Sequence, residues 1–268
     1  MRNTGTPASK WPTLLGVCVA LTAPLAAQQP AGIPRAPDGH PDLSGTWDNG
    51  AGIDFVQPRK DGASVCIFGC AGGAPLPAGS IPQPSVPSYR PEHAARVADL
   101  DKRQVQEDPV LRCVSPGVPR IGPPDKIVQR AGEAVFLYED VSGSFFRLVP
   151  TDGRPHPTNN EPSFLGDAVG HWEGDTLVVE TKNFNDQTWL TDNGAFHTTG
   201  LRVVERLSRT ADSLEWVATA HDPAVLAQPW ELAKRVAKLT DIEIVESPPC
   251  IDRSLANMVD DSHHTNPR

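Results

Sequence analysis

The histidines and carboxylates of this chain are the side chains whose types and spacing could move a proton. His156 lies in Arg154-Pro155-His156-Pro157, Asp167 precedes His171-Trp172, and His197 lies in Phe196-His197-Thr198-Thr199. Glu205-Arg206 sits within an apolar run, and His221-Asp222 follows another. Imidazole titrates near neutral pH, so a His paired with a carboxylate is the usual general acid–base device. The segments that carry these residues are expected to meet at one rim. His197 and His156 are the catalytic candidates, with Asp167 or Glu205 as the carboxylate. Glu205 and Arg206 face opposite ways on a regular strand, so one can enter a pocket while the other pairs at the surface. Trp47, Arg154, His171, Trp172 and Trp230 are the candidate ligand contacts. Plainer roles stand beside these: His156 capping a turn between prolines, His171 exposed near a hairpin, and the tryptophans filling a core.

Other chemistries lack their motifs. The sequence has no Gly-x-Ser-x-Gly elbow, no His-Glu-x-x-His, no phosphate-binding glycine loop and no dinucleotide fingerprint. No spacing supports a metal site, and no cofactor is expected. Cysteine chemistry depends on the compartment. The chain opens with Arg2 and Lys10, an apolar stretch from Trp11 to Ala27 and small residues before Gln28, which reads as a cleavable signal peptide over residues 1–27. The stretch is short and broken by Pro12 and Pro24, so no stable membrane anchor is expected after cleavage. In an oxidising compartment the four remaining cysteines favour disulfides. Three pairings are possible, and the expectation is Cys66–Cys70 with Cys113–Cys250. Removing the signal takes two cations and no anions, moving the formal charge from −9 to −11. So acidic a chain makes a poor nucleic-acid partner.

The elements that must position these residues are mostly strands. Residues 28–41 are rich in Pro and Gly and read as a linker, and residues 61–90 as an irregular loop. Pro91 to Gln106 carries Ala94, Val97 and Leu100 at helical spacing, with Pro91 suited to the first position and Asp108-Pro109 as the stop. From Lys126 onward, three hairpins follow: Ile127–Arg130 with Ala134–Tyr138, His171-Trp172 with Thr176–Thr181, and Leu201–Leu207 with Leu214–Ala220. Phe145–Val149 is a further strand, and Glu231–Leu239 alternates like one more. The fold class is therefore mainly β, an antiparallel up-and-down barrel with one helix and long Pro/Gly-rich loops. The expected organisation is a single barrel domain over 42–250 with a helical insertion near 91–107, then a flexible tail over 251–268.

Several strings resemble a large group of exported bacterial proteins: Pro41-Asp42-Leu43-Ser44-Gly45-Thr46-Trp47, Thr151-Asp152-Gly153-Arg154-Pro155-His156-Pro157, Gly170–Thr181, Glu205-Arg206, Asp222-Pro223 and Pro229-Trp230. The resemblance runs from about Pro41 to Trp230. It implies export, to the periplasm or the medium, and names no reaction. The tail departs from the group's Cys-x-Glu-Asn, reading Cys250-Ile251-Asp252-Arg253, so no role of that Glu-Asn pair carries over. Separately, Gly45-x-Trp47 ahead of a run of hairpins resembles a lipocalin-type barrel, which implies that the Trp closes the barrel floor while the Gly lets it lie across the first strand. A barrel of that kind is just wide enough for one small ligand. Two functions follow: an exported binder of a small apolar or aromatic molecule, or a cofactor-independent lyase, hydratase or isomerase that uses a His–carboxylate pair. A surface or assembly protein is the third and weakest.

Overall fold

The computed structural model describes residues 32–49, 59–61, 64–66, 86–140, 142–247 and 250. Alternating apolar residues drive its strands, because the side-chain period of two puts every second residue on the inner face. In chain order these are β1 (Gly45–Asp48), β2 (Arg59–Asp61), β3 (Ser64–Cys66), β4 (Lys126–Arg130), β5 (Glu133–Asp140), β6 (Gly143–Pro150), β7 (Asp167–Glu173), β8 (Thr176–Lys182), β9 (Arg202–Arg209), β10 (Ser213–His221), β11 (Trp230–Glu231) and β12 (Arg235–Thr240). β2 and β3 form a separate hairpin, and β11 adds to β10. The other nine run β6-β5-β4-β1-β12-β10-β9-β8-β7: with β2, β3 and β11 set aside, each strand lies beside the next in sequence except β6 and β7, which share no ladder, and the first strand, β1, pairs with the last, β12. This is the expected antiparallel up-and-down barrel, brought nearly to closure where β6 lies beside β7.

The closure has a physical signature. Every ladder in the ring is antiparallel. Following those alternations around nine strands makes β6 and β7 run the same way. No ladder joins these two strands, which are the free ends of the sheet. The chain therefore cannot turn back in a hairpin after Pro150, and residues 151–166 travel the length of the barrel before β7 begins.

One end of the ring is sealed by Trp47. Its indole donates to the Leu43 carbonyl at 3.1 Å, and the Arg209 guanidinium lies 5.0 Å from its ring centre. Arg209 itself donates to the carbonyls of Asp42, Thr210 and Ala211. Gly45 has φ +147°, a conformation that side chains rarely adopt, and a Cβ there would stand 2.7 Å from the end of the Leu239 side chain and in ordinary contact, 3.7 Å, with the Trp47 ring. Trp47, Trp216, Tyr138 and Phe136 fill the interior. The opposite end is stopped by residues 183–201, which bring Phe184, Trp189, Leu190 and Phe196 into the same core. The rim there also holds Asp125, whose carboxyl burial pushes up to about 6, against backbone hydrogen bonding from Glu139.

Four expectations change. The helix is not continuous over Pro91–Gln106: a 3₁₀ turn (Pro91–His93) leads into α1 (Ala94–Lys102), which breaks at Arg103 before the short α2 (Gln104–Glu107). Arg103 leaves helical geometry at φ −106°, ψ 22°, its side chain held by Asp99 and Glu107. The strand expected over 231–239 is split into β11 and β12. Part of the 61–90 stretch is the β2–β3 hairpin rather than loop. Residues 32–41 are not a linker either. Arg35 grips the Asp175 carboxylate with two hydrogen bonds of 2.5 and 2.8 Å, and His40 stacks on Trp172 at 4.6 Å. An Arg fork and a ring stack hold this segment to the β7–β8 turn, which its Pro and Gly content does not reveal.

Cys113 and Cys250 form a disulfide that ties the segment before β4 to the chain 137 residues on. Cys66–Cys70, the signal peptide and the tail over 251–268 lie outside what the structure describes. Replacing Trp47 by Ala should lower unfolding free energy in a urea titration by about 3–5 kcal/mol, the usual cost of emptying a large aromatic site.

Candidate functional site

The polar groups most committed to the barrel interior come from five strands. In β6 the inward positions are Phe145, Arg147 and Val149, so alternation puts a guanidinium between two apolar side chains. Arg147 donates to Tyr138 Oη of β5 at 3.0 Å, to Thr181 Oγ1 of β8 at 2.7 Å and to Glu205 Oε2 of β9 at 2.6 Å. The other Glu205 oxygen accepts from the Trp216 indole of β10 at 3.1 Å. The two charged side chains are 2% and 0% exposed, so the pair is shut off from water. Burial alone would lower the Arg147 pKa, but the Glu205 charge and these hydrogen bonds raise it above the ordinary value. Burial, joined by the Glu205 charge, also raises Tyr138. One donor is left over: Arg147 Nε–H is buried and has no acceptor.

Arg147 also lines an opening in the barrel wall. Between β6 and β7 lies a cleft of about 480 Å³, roofed by residues 157–166 of the long connection. Phe145, Phe146, Leu148, Phe164, Leu165 and Val169 give it apolar walls. It narrows where Val149 meets Gly170: a Cβ at Gly170 would lie 3.1 Å from the Val149 side chain, so glycine lets β6 and β7 touch there. Phe146 and Leu148 are 62% and 52% exposed, an unusual amount of free apolar surface next to a buried charge. Asp167 lines the cleft as well. Its carboxylate accepts from Asn160 at 2.9 Å and Asn183 at 2.7 Å. Arg154, also in the lining, is held by Asp152.

The expected single rim of catalytic residues does not form. His197 is 2% exposed and sits in the segment that plugs the barrel end. Its Nδ1–H donates to the Thr198 carbonyl at 3.0 Å, which leaves Nε2 to accept from Thr188 Oγ1 at 2.7 Å. Both ring nitrogens are used, and burial holds the pKa below the ordinary histidine value. No carboxylate is hydrogen-bonded to this ring, because hydroxyl and carbonyl groups fill both positions. Glu205 is bonded to Arg147 and Trp216, and Asp167 to two amides. The one His–carboxylate contact that is partly buried is His156 Nε2 with Glu180 Oε1 at 3.2 Å, on the outer side of β8. Burial works to raise the Glu180 pKa, but hydrogen bonds from Lys182 and Arg202 outweigh it and hold it below the ordinary value. His171 pairs with Glu173 in the open.

The aromatic candidates divide in the same way. Trp47 and Trp230 are buried, Trp47 as the floor and Trp230 on β11, and neither lines a cleft. Trp172 is covered by His40. Of the residues expected at the site, Arg154 and Asp167 line the β6–β7 cleft. Arg147, Phe164 and Glu180 were missed. The alternation of Phe145, Arg147 and Val149 was the signal for Arg147; nothing in the sequence marks Phe164 or Glu180.

A second cleft, of about 600 Å³, lies near the plugged end, lined by Arg90, Lys182, Arg202 and His221 among others. Among the described residues no three His, Cys, Asp or Glu side chains are grouped as a metal site. None of the family models, curated proteins or solved structures compared with this chain matches it.

A buried pair is stabilising only while both partners remain. Arg147→Met or Glu205→Gln alone should cost about 3–5 kcal/mol in chemical denaturation, by stranding the other charge. The double variant should lose less than either single one, since no lone charge is then buried.

Proposed function

We propose that this is an exported barrel that binds a small apolar or aromatic molecule in the cleft between β6 and β7. The observation that carries the reading is the cleft itself: an opening of about 480 Å³ in the wall of a filled barrel, walled by Phe145, Phe146, Phe164 and Leu165, with Arg147 of the buried pair also in its lining. Its volume is in the range of small-ligand sites, and a few placed polar groups in an apolar lining are their usual composition. The barrel interior is not the site in this reading, because Trp47, Trp216, Tyr138 and Phe136 occupy it.

The acid–base alternative is supported by a different pair from the one expected. His156 Nε2 faces the Glu180 carboxylate, and its Nδ1 is without a partner. A histidine oriented by a carboxylate, with its second nitrogen free, is arranged to take a proton. Arg154 and Pro157, on either side of His156, line the cleft, so the two readings share one region.

Protein purified under native conditions from a cell that exports it should release a low-polarity compound on denaturation, identified by mass spectrometry. Phe164→Asp, which puts a charge into the cleft wall at a half-buried position, should abolish the retention and leave the thermal midpoint within a few degrees. Recovery of the same compound from Phe164→Asp would contradict the site. Turnover of that compound, lost in both His156→Ala and Glu180→Gln, would move the assignment from binder to enzyme.

A further inference from the structure

The buried donor in the cleft restricts what the ligand can carry. Arg147 is almost wholly buried, lines the cleft, and keeps Nε–H without an acceptor while its terminal nitrogens bond Tyr138, Thr181 and Glu205. A buried N–H left unpaired keeps its full desolvation penalty, so an occupant that supplies an oxygen there removes a standing cost. An anionic oxygen does not suit the place. The Arg147 charge is already neutralised by Glu205 at 2.6 Å. The Arg154 charge is taken by Asp152 at 2.6 Å. The remaining charge in the lining is Asp167, whose carboxylate is held by the neutral amides of Asn160 and Asn183 and makes no ion pair among the described residues. A ligand carboxylate would thus be a further buried anion without a free cation, beside an acid of like sign. We infer that the occupant is an apolar molecule bearing a neutral hydrogen-bond acceptor, such as a ketone, ester or amide carbonyl, which accepts from Arg147 Nε–H while its hydrocarbon part lies between Phe145, Phe164 and Leu165. The inference rests on the cleft being the binding site.

Three probes of similar size separate the possibilities: propiophenone, propylbenzene and 3-phenylpropanoate. Affinities are read by calorimetry on the full-length mature protein at pH 7.5, and the Nε–H resonance of Arg147 is followed by ¹⁵N-resolved NMR, assigned by its absence in Arg147→Lys. Propiophenone should bind about tenfold more tightly than propylbenzene, the effect of one hydrogen bond of roughly 1.4 kcal/mol. It alone should shift the Nε–H signal downfield. The carboxylate should bind more weakly than the hydrocarbon. Arg147→Lys keeps a cation for Glu205 but has no Nε–H, and should bring propiophenone down to the level of propylbenzene. The wild-type ranking and the resonance stand as tests even where that variant does not fold. Equal binding of ketone and hydrocarbon, with no change in the resonance, would overturn the acceptor inference and leave the cleft as an apolar site. Tightest binding by the carboxylate would also overturn it. Absence of binding by all three would remove the cleft reading and this inference together.

Discussion

An antiparallel ring closes on itself only with an even number of strands. Nine strands follow one another around this one, so one pair of neighbours must run parallel, and β6 and β7 are that pair. A parallel pair cannot be joined by a tight turn. The connection from Pro150 to Asp167 has to return along the whole barrel, and in doing so its residues 157–166 come to lie over the unpaired seam. The opening between β6 and β7 and the roof above it have the same origin. They are consequences of strand count, and both would vanish if one strand were added or removed.

Closure at this seam relies on side chains where the rest of the ring relies on backbone ladders. At its narrow end, Val149 packs against Gly170. At its wide end, Arg147 reaches across the interior from β6 and is bonded to Tyr138 on β5, Thr181 on β8 and Glu205 on β9, which joins the two free sides of the sheet. Burying such a pair seldom adds stability over an apolar filling, and its better-attested use is to specify one arrangement over others. Here that arrangement sets the relative position of β6 and β8, with the Glu205 carboxylate further fixed by Trp216. The same residue is in the lining of the cleft. One residue therefore serves closure with its terminal nitrogens and faces the proposed ligand with its third, which couples occupancy of the cleft to the integrity of the seam.

Much of this was legible in the sequence, and the limits are physical. Hairpins centred on Gly132 and Gly174 declare themselves, because turn residues between alternating apolar runs leave few other structures. Gly45-x-Trp47 drew attention to a tryptophan that is buried, with its indole bonded to the Leu43 carbonyl. Cysteine arithmetic left three pairings open, and the structure holds Cys113–Cys250, one of the expected bonds. Glu205 was singled out for its charge within an apolar strand, and it does face inward, but its role depends on Arg147, 58 residues earlier. His197 looked reactive among its hydroxyl neighbours. The Thr198 backbone carbonyl takes one nitrogen and the hydroxyl of Thr188, nine residues earlier, takes the other; neither that pairing nor burial by the 183–201 plug can be read from local spacing. Nothing local singles out Glu180, since its partners His156, Lys182 and Arg202 come from three different segments.

The central claim is that β6 and β7 meet without a backbone ladder and that this seam is where a ligand sits. Native-state hydrogen exchange, resolved to single amides, tests it most directly. The account predicts that amides of β6 and β7 that point into the seam exchange far faster than those in the β5–β6 and β8–β9 ladders, and that they slow selectively when a ligand fills the cleft. Seam amides as protected as those of the neighbouring ladders in the free protein, or unchanged on ligand binding, would contradict it.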